Sequence, residues 1–108
     1  MPKGAEPEHR GLHALLLAVS ELGTSAQPFK LHIKGYLGAK MCRNYLVGAF
    51  SPTEGQSYIP ELARKNQEGE VKLDFDLTDS LTADTVRLLS ESCRLEKLVA
   101  TGAFPYNP

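Results

Sequence analysis

Hydrophobic and polar residues alternate strictly in two stretches of the chain, 29–34 and 71–77. A period of two is typical of a β-strand that has one face in water and one face in a core. The apolar positions of the two stretches are Phe29, Leu31, Ile33, Val71, Leu73, Phe75 and Leu77. The pattern therefore predicts two amphipathic strands that share a buried side.

Apolar residues recur at helical spacing in two other stretches. Over residues 12–22 they follow one side of a helical wheel, except for Leu17, which lies among the polar positions. Six successive apolar residues at 14–19 leave a buried strand open as the alternative. Residues 83–100 carry apolar residues over about half of the wheel and have Thr82 as the predicted N-cap, so they are predicted to form a long final helix.

Two shorter elements complete the predicted order. Residues 60–67 are predicted to be a short helix, because Pro60 suits a first helical turn and Gly69 suits its end. Asn44–Phe50 is predicted to be a second, more buried strand that Ser51 and Pro52 stop. The order is then α-β-β-α-β-α, and the predicted fold is α+β: one mainly antiparallel sheet of three to four strands, with the two main helices packed on one face.

The charges on the wet sides of the two clear strands predict that these strands are neighbours. Lys30, His32 and Lys34 are basic or can become so, whereas Glu70, Asp74 and Asp76 are acidic and Lys72 is the exception. Opposite charges on adjacent strands are stabilising. We therefore expect strands 29–34 and 71–77 to pair in one sheet, in antiparallel orientation.

The length of 108 residues fits one domain. We expect a flexible leader at 1–10, a single domain at 11–104 and a tail at 105–108. The longest apolar run is far shorter than the ~20 residues needed to cross a bilayer, and residues 1–10 have no apolar run of the kind a signal peptide needs. A cytoplasmic protein that does not contact membranes is the expectation.

Charge is balanced overall but not along the chain. Twelve basic and 13 acidic residues give a net charge of −1, which argues against dominant nonspecific binding to nucleic acid. Residues 1–50 hold six basic and three acidic groups, a net +3, whereas residues 51–108 hold six and ten, a net −4. This asymmetry permits electrostatic self-association, and it also permits neutralisation within the fold.

One group of basic residues is the candidate binding site. It consists of Lys30, His32, Lys34, Lys40 and Arg43. If these side chains converge, they could bind an anion or a nucleic acid. The alternative is a solvated strand face that meets the acidic strand.

The sequence offers no catalytic, metal or cofactor site that outweighs a structural interpretation. Cys42 and His32 could form a thiolate–imidazole pair, but no third orienting group is evident. Asp74 and Asp76 share a strand face about 7 Å apart, and such alternating acids ordinarily face water. Cys42 and Cys93 could form one disulfide, but two buried free thiols are favoured.

Three function classes follow from these observations. The favoured one is a non-catalytic binding or protein-interaction module that self-associates as a dimer or takes a protein partner. Leu17 and Leu98, which lie off the apolar faces of their helices, favour it modestly. The alternatives are a small-molecule-binding protein or small enzyme with a cleft between sheet and helices, and a nucleic-acid-binding accessory protein that uses the basic group at 30–43.

Overall fold

The computed structural model describes residues 7–35, 37–53, 57–78 and 83–101. Its elements in chain order are α1 (Pro7–Val19), β1 (Phe29–Gly35), α2 (Ala39–Met41), a π-helical segment (Cys42–Val47), α3 (Gly48–Phe50), α4 (Pro60–Gln67), β2 (Val71–Thr78), α5 (Ala83–Ser92) and β3 (Leu95–Thr101). Residues 1–6 of the predicted leader at 1–10, the predicted N-cap Thr82 and the predicted tail at 105–108 lie outside the described residues.

The sheet has three strands in the order β1-β2-β3, and both pairs are parallel. The prediction of a mainly antiparallel sheet is therefore wrong. Helices lie in the connection from β1 to β2, and α5 lies in the connection from β2 to β3. Such crossovers return the chain to the end of the sheet from which it left, so each new strand runs in the same direction as the last.

The prediction that the two alternating strands are neighbours is confirmed. β1 pairs with β2 along its whole length, from Phe29 opposite Val71 to Gly35 opposite Leu77. The apolar positions of β2 are fully buried. They share one core cluster with helical residues that include Leu16, Leu46, Leu62 and Leu89, so the described helices contribute to a single layer on the inner face of the sheet.

The first apolar run is a helix, as favoured. It begins at Pro7, several residues before the predicted Leu12, and it ends at Val19. Leu12, Leu16 and Val19 are buried, but Leu15 and Leu22, which were expected on the same face, are 44% and 51% exposed. The buried stripe is narrower than expected, because the chain turns after Val19 toward β1.

Residues 44–50 are helical, so the predicted second strand is wrong. α2, the π-helical segment and α3 follow one another without a break, and the Gly48 amide donates to the Arg43 carbonyl five residues back, the hydrogen bond of a π-helix. All residues from Tyr45 to Phe50 are buried. An apolar run of this length is equally typical of a buried strand and of a buried helical segment.

The predicted final helix over 83–100 is two elements. α5 ends at Ser92, and β3 begins at Leu95 and pairs with β2. Between them the backbone of Arg94 is fixed by Asn66, whose Oδ1 accepts from the Arg94 amide at 2.7 Å and whose Nδ2 donates to the Arg94 carbonyl at 2.9 Å. The free edge of β2 then offers backbone partners that outweigh the helical preference of residues 95–100.

The helix at Pro60–Gln67 is confirmed at both ends, with Pro60 in its first turn. Gly69 follows it with φ +81, a conformation that favours glycine. Gly23 is buried in the loop between α1 and β1. A Cβ placed there would lie 1.8 Å from the Glu70 carbonyl oxygen, so glycine at this position allows two loops to meet at the amino ends of β1 and β2.

Candidate functional site on the outer face of the sheet

The outer face of the sheet carries six titratable side chains on its first two strands. They are Lys30, His32 and Lys34 of β1 and Lys72, Asp74 and Asp76 of β2, and they are called the outer face below. They alternate with the buried apolar residues, so they lie on the side of the sheet away from the core cluster. No described helix contributes to this side.

The parallel register sets these charges opposite one another in three rows. His32 pairs in register with Asp74, and Lys34 with Asp76. Lys30 pairs with Lys72, a row of two like charges at the amino end of the strands. The row of Lys34 and Asp76 therefore combines opposite charges, and the row of His32 and Asp74 does so when the imidazole is protonated, with the basic group on β1 in both rows.

The row of His32 and Asp74 is in direct contact. His32 Nδ1 lies 3.3 Å from Asp74 Oδ2, with the histidine side chain 50% exposed and the aspartate side chain 16% exposed. Asp74 Oδ1 is buried and has no hydrogen-bond partner. Asp74 also lies on the central strand, where its backbone pairs with Lys97 of β3.

Glu70, which was grouped with the acidic residues of this strand, does not belong to the outer face. It precedes β2, and its Oε2 lies 3.4 Å from Arg64 Nη1 of α4. Arg64 is also paired with Glu61 and Glu68 on its own helix. The carboxylate of Glu70 is thus turned toward the helical layer.

The five basic residues of the candidate binding site come from two parts of the fold. Lys30, His32 and Lys34 share the outer face, whereas Lys40 and Arg43 lie in the helical segments after β1. Arg43 Nη1 lies 2.9 Å from Asp84 Oδ2 of α5. Hydrogen bonds from Arg87 and Arg43 hold the pKa of Asp84 below its ordinary value.

The two cysteines are free and buried, as favoured. Cys42 donates to the Leu37 carbonyl at 3.7 Å, and Cys93 donates to the Leu89 carbonyl at 3.2 Å. Burial raises the pKa of each thiol to about 12. Cys42 belongs to the core cluster and His32 to the opposite side of the sheet, so the structure does not bring the considered thiolate–imidazole pair together.

The outer face suits recognition better than catalysis. Asp74 is largely buried in this row, but its partner His32 is half exposed, so water is not excluded from the pair. A separate cavity of about 100 Å³ lies between the end of α4 and the amino ends of β2 and β3, where Asn66, Lys72 and Arg94 contribute to its walls. It is smaller than the roughly 300–1,000 Å³ of a typical small-molecule site.

Searches for other kinds of site and for similar proteins give negative findings. Within the described ranges, no three His, Cys, Asp or Glu side chains are grouped so that they could hold a metal ion. Of the helices that the structure describes, none combines the length and apolar character needed to cross a membrane. Comparisons with protein-family models, curated proteins and solved structures find no match to this chain.

Sequence reasoning did not single out Asn66, which is 1% exposed and fixes the start of β3. One signal was available. Asn66 lies four residues after Leu62, on the buried side of α4, where a polar residue requires hydrogen-bond partners. Its partners, Val71 and Arg94, are not evident from the sequence, since Arg94 is 28 residues away.

Proposed function

We propose that this protein is a non-catalytic interaction module that associates with a second copy of itself through the outer face of its sheet. The observation that carries the proposal is the outer face itself: a parallel sheet with helices on one side and, on the other, a charged surface to which no described helix contributes. Parallel sheets ordinarily have both faces covered. A second copy would supply the missing layer.

The charges of the outer face support a second copy as the partner. The face presents positive groups on β1 and negative groups on β2, so it offers both signs that a copy of itself requires. Complementary charges of this kind favour the correct encounter and orient the partners. β1 belongs to the half of the chain with a net charge of +3, and β2 belongs to the half with a net charge of −4. The two halves are therefore in contact at this strand pair.

The other two function classes have weaker support. The cavity of about 100 Å³ is small for an organic ligand, which leaves little for an enzyme or small-molecule-binding protein to use. A nucleic-acid site has three cations on the outer face, but His32 and Lys34 stand beside Asp74 and Asp76, whose charges would repel phosphate.

The size of the face predicts weak association. Two strands at about 4.8 Å spacing and seven residues at about 3.3 Å rise give a surface of roughly 10 Å by 23 Å. Two such faces bury less than the ~1,200 Å² that marks the lower end of stable interfaces. We therefore expect a transient dimer that dissociates at high salt, in the reducing cytosol where free thiols such as Cys42 and Cys93 persist.

Blocking the face tests this proposal. Lys34→Cys introduces an exposed thiol on the outer face, and a bulky maleimide polymer attached there should keep the protein monomeric. The same polymer on Lys40→Cys, which lies in the helical layer, is the matched control and should leave association unchanged. The two native thiols are buried and should not react.

Sedimentation velocity at concentrations from micromolar to millimolar supplies the readout, together with amide chemical shifts of residues 30–34 and 72–76. Association should weaken as salt is raised from about 50 mM to about 500 mM, because screening shortens the reach of surface charges. A monomer at every concentration would overturn the proposal. If the polymers on Lys34→Cys and Lys40→Cys inhibit association equally, the interface lies elsewhere. The same conclusion follows if the amide chemical-shift changes are centred on the exposed leucines of α1.

A further inference from the structure

We infer that two copies meet about a two-fold axis that runs parallel to the strands, so that β1 of each copy lies over β2 of its partner. This inference rests on the proposed function and names the arrangement of that interface. It follows from the placement of the charges, since β1 and β2 run in the same direction and hold His32 beside Asp74 and Lys34 beside Asp76.

Two symmetric face-to-face arrangements keep the strands of the two sheets aligned. A two-fold axis across the strands places β1 over the partner's β1 and β2 over the partner's β2, and it reverses the order of the rows. With the axis at the carboxyl-end row, Lys34 meets a second Lys34 and Asp76 meets a second Asp76. With the axis at the middle row, Lys34 meets the partner's Lys30 and Asp74 meets a second Asp74, and only Asp76 meets an opposite charge, the partner's Lys72. Like charges held in contact oppose association, so the sequence of the outer face disfavours this arrangement.

An axis along the strands exchanges the two strands instead. It places the positive side chains of β1 over the negative side chains of the partner's β2. Each of these contacts occurs two times in the dimer because of the symmetry. Lys34 then lies over the partner's Asp76, and His32 over the partner's Asp74. Because parallel strands keep their direction under this rotation, the rows stay at the same height.

The row of Lys30 and Lys72 is the unfavourable part of this arrangement. Both side chains are exposed and lie at the amino end of their strands. Long lysine side chains can turn their ammonium groups toward water while their methylene groups stay in contact with the surface. The carboxyl-end row, with Lys34 and Asp76, therefore decides the orientation.

A double charge swap within one chain separates the two arrangements. The variant Lys34→Glu/Asp76→Lys keeps one positive and one negative group side by side in its own sheet, so its fold should be preserved. With β1 over the partner's β2, the swapped protein should associate with itself as the original protein does. In a dimer of one swapped chain and one original chain, like charges meet at both contacts between positions 34 and 76.

The measurement is sedimentation of the original chain, carrying a fluorescent label at Lys40→Cys, in the presence of the unlabelled swapped protein. Cross-association should be at least tenfold weaker than self-association, and the difference should shrink at high salt. A matched swap in the helical layer, Lys40→Glu/Glu91→Lys, has both positions exposed and should cross-associate as well as the original protein, here labelled at Glu21→Cys, an exposed position in the turn after α1.

Each other outcome overturns the inference. Cross-association that is tighter than self-association would mean that like strands face each other across a perpendicular axis near the row of Lys34 and Asp76. Equal cross- and self-association would mean that Lys34 does not lie over the partner's Asp76. Failure of the proposed function itself is distinguishable, since the original protein would then remain a monomer in the absence of any swap.

Discussion

The side-chain amide of Asn66 holds together the amino ends of β2 and β3. Its Nδ2 donates to the carbonyls of Val71 and Arg94, and its Oδ1 accepts from the Arg94 amide. The side chain is buried, so each lost bond leaves a polar group without water. One residue of α4 thus determines where the last strand begins.

Asn66→Ala should lower the free energy of unfolding by about 2–4 kcal/mol, because it removes three buried hydrogen bonds. Urea unfolding measures the change. Gln67→Ala, at the exposed next position of α4, is the control and should change stability by less than about 0.5 kcal/mol. A cost for Asn66→Ala as small as that of the control would show that β3 forms without this clamp.

The two glycines Gly23 and Gly11 should respond in opposite directions to the same substitution. Gly23→Ala places a methyl group against the backbone of Glu70 and should destabilise the protein by about 1–3 kcal/mol or more. Gly11 lies within α1, and a Cβ added there would meet no atom within 4 Å, so Gly11→Ala should stabilise the protein by about 0.5–1 kcal/mol.

Thermal unfolding of the two variants provides the comparison. If Gly23→Ala is tolerated as well as Gly11→Ala, the loops at 23 and 70 do not pack as closely as the structure shows.

At the scale of single residues, the sequence predicts the position of a side chain correctly where that residue belongs to a repeating pattern. Lys30, His32 and Lys34 alternate with buried neighbours, and this period placed them correctly on one wet face. Arg43 has no such pattern. Its partner Asp84 is 41 residues away, and only the packing of the π-helical segment near α5 brings the two together.

The direction of the strands is the main error at the scale of elements. Complementary charges on β1 and β2 are satisfied whether the strands run parallel or antiparallel, so they predicted adjacency and nothing more. The connection between β1 and β2 was a better signal of strand direction. About 35 residues separate the two strands, and a helix at 60–67 within them is typical of a crossover between parallel strands.

Two other elements were wrong because short apolar runs are ambiguous. Lys40, Arg43 and Asn44 are the polar positions of the segment at 39–50, and their spacing of three and one is compatible with one side of a helix. Residues 95–100 fit a helical wheel, but pairing with β2 decides their conformation. Tertiary contacts of this kind are not visible in local periodicity.

The central strand should contribute more to stability than the edge strand. Phe75 of β2 is fully buried, whereas Ile33 of β1 is half-buried. Phe75→Ala should cost about 3–5 kcal/mol. Ile33→Ala should cost less than about 2 kcal/mol, because less apolar area leaves water when Ile33 folds.

Urea unfolding of both variants measures the difference, and Phe75→Leu extends the series should Phe75→Ala not fold. Equal costs at the two positions would mean that β1 and β2 share the core equally.

At the scale of the whole molecule, the fold brings its two oppositely charged halves into contact. β1 and Arg43 come from the first half, while β2 and Asp84 come from the second. The charge asymmetry of the sequence is therefore partly neutralised inside the protein. The rows of the outer face are part of this contact, and the proposed dimer uses the same groups.

The buried thiols should make the stability of the whole protein fall at alkaline pH. Folding raises the pKa of Cys42 and Cys93 from 9.0 to about 12, so the folded state holds these protons more tightly than the unfolded state. The stabilisation is fully present below pH 9 and is lost as the pH rises from there toward 12. The free energy of unfolding of Cys42→Ala/Cys93→Ala should depend less steeply on pH between 8 and 10.

A thiol reagent gives an independent readout at pH 8. Both cysteines should react only after unfolding, while the exposed thiol of Lys40→Cys should react at once in the folded protein. Rapid labelling of Cys42 or Cys93 in the folded protein would contradict their burial.

Strand order in this sheet is the same as chain order, and every described helix contributes to the same side. Neither outer strand has a backbone hydrogen-bond partner beyond its inner neighbour among the described residues. An exposed strand edge of this kind presents backbone donors and acceptors with which a further strand can pair.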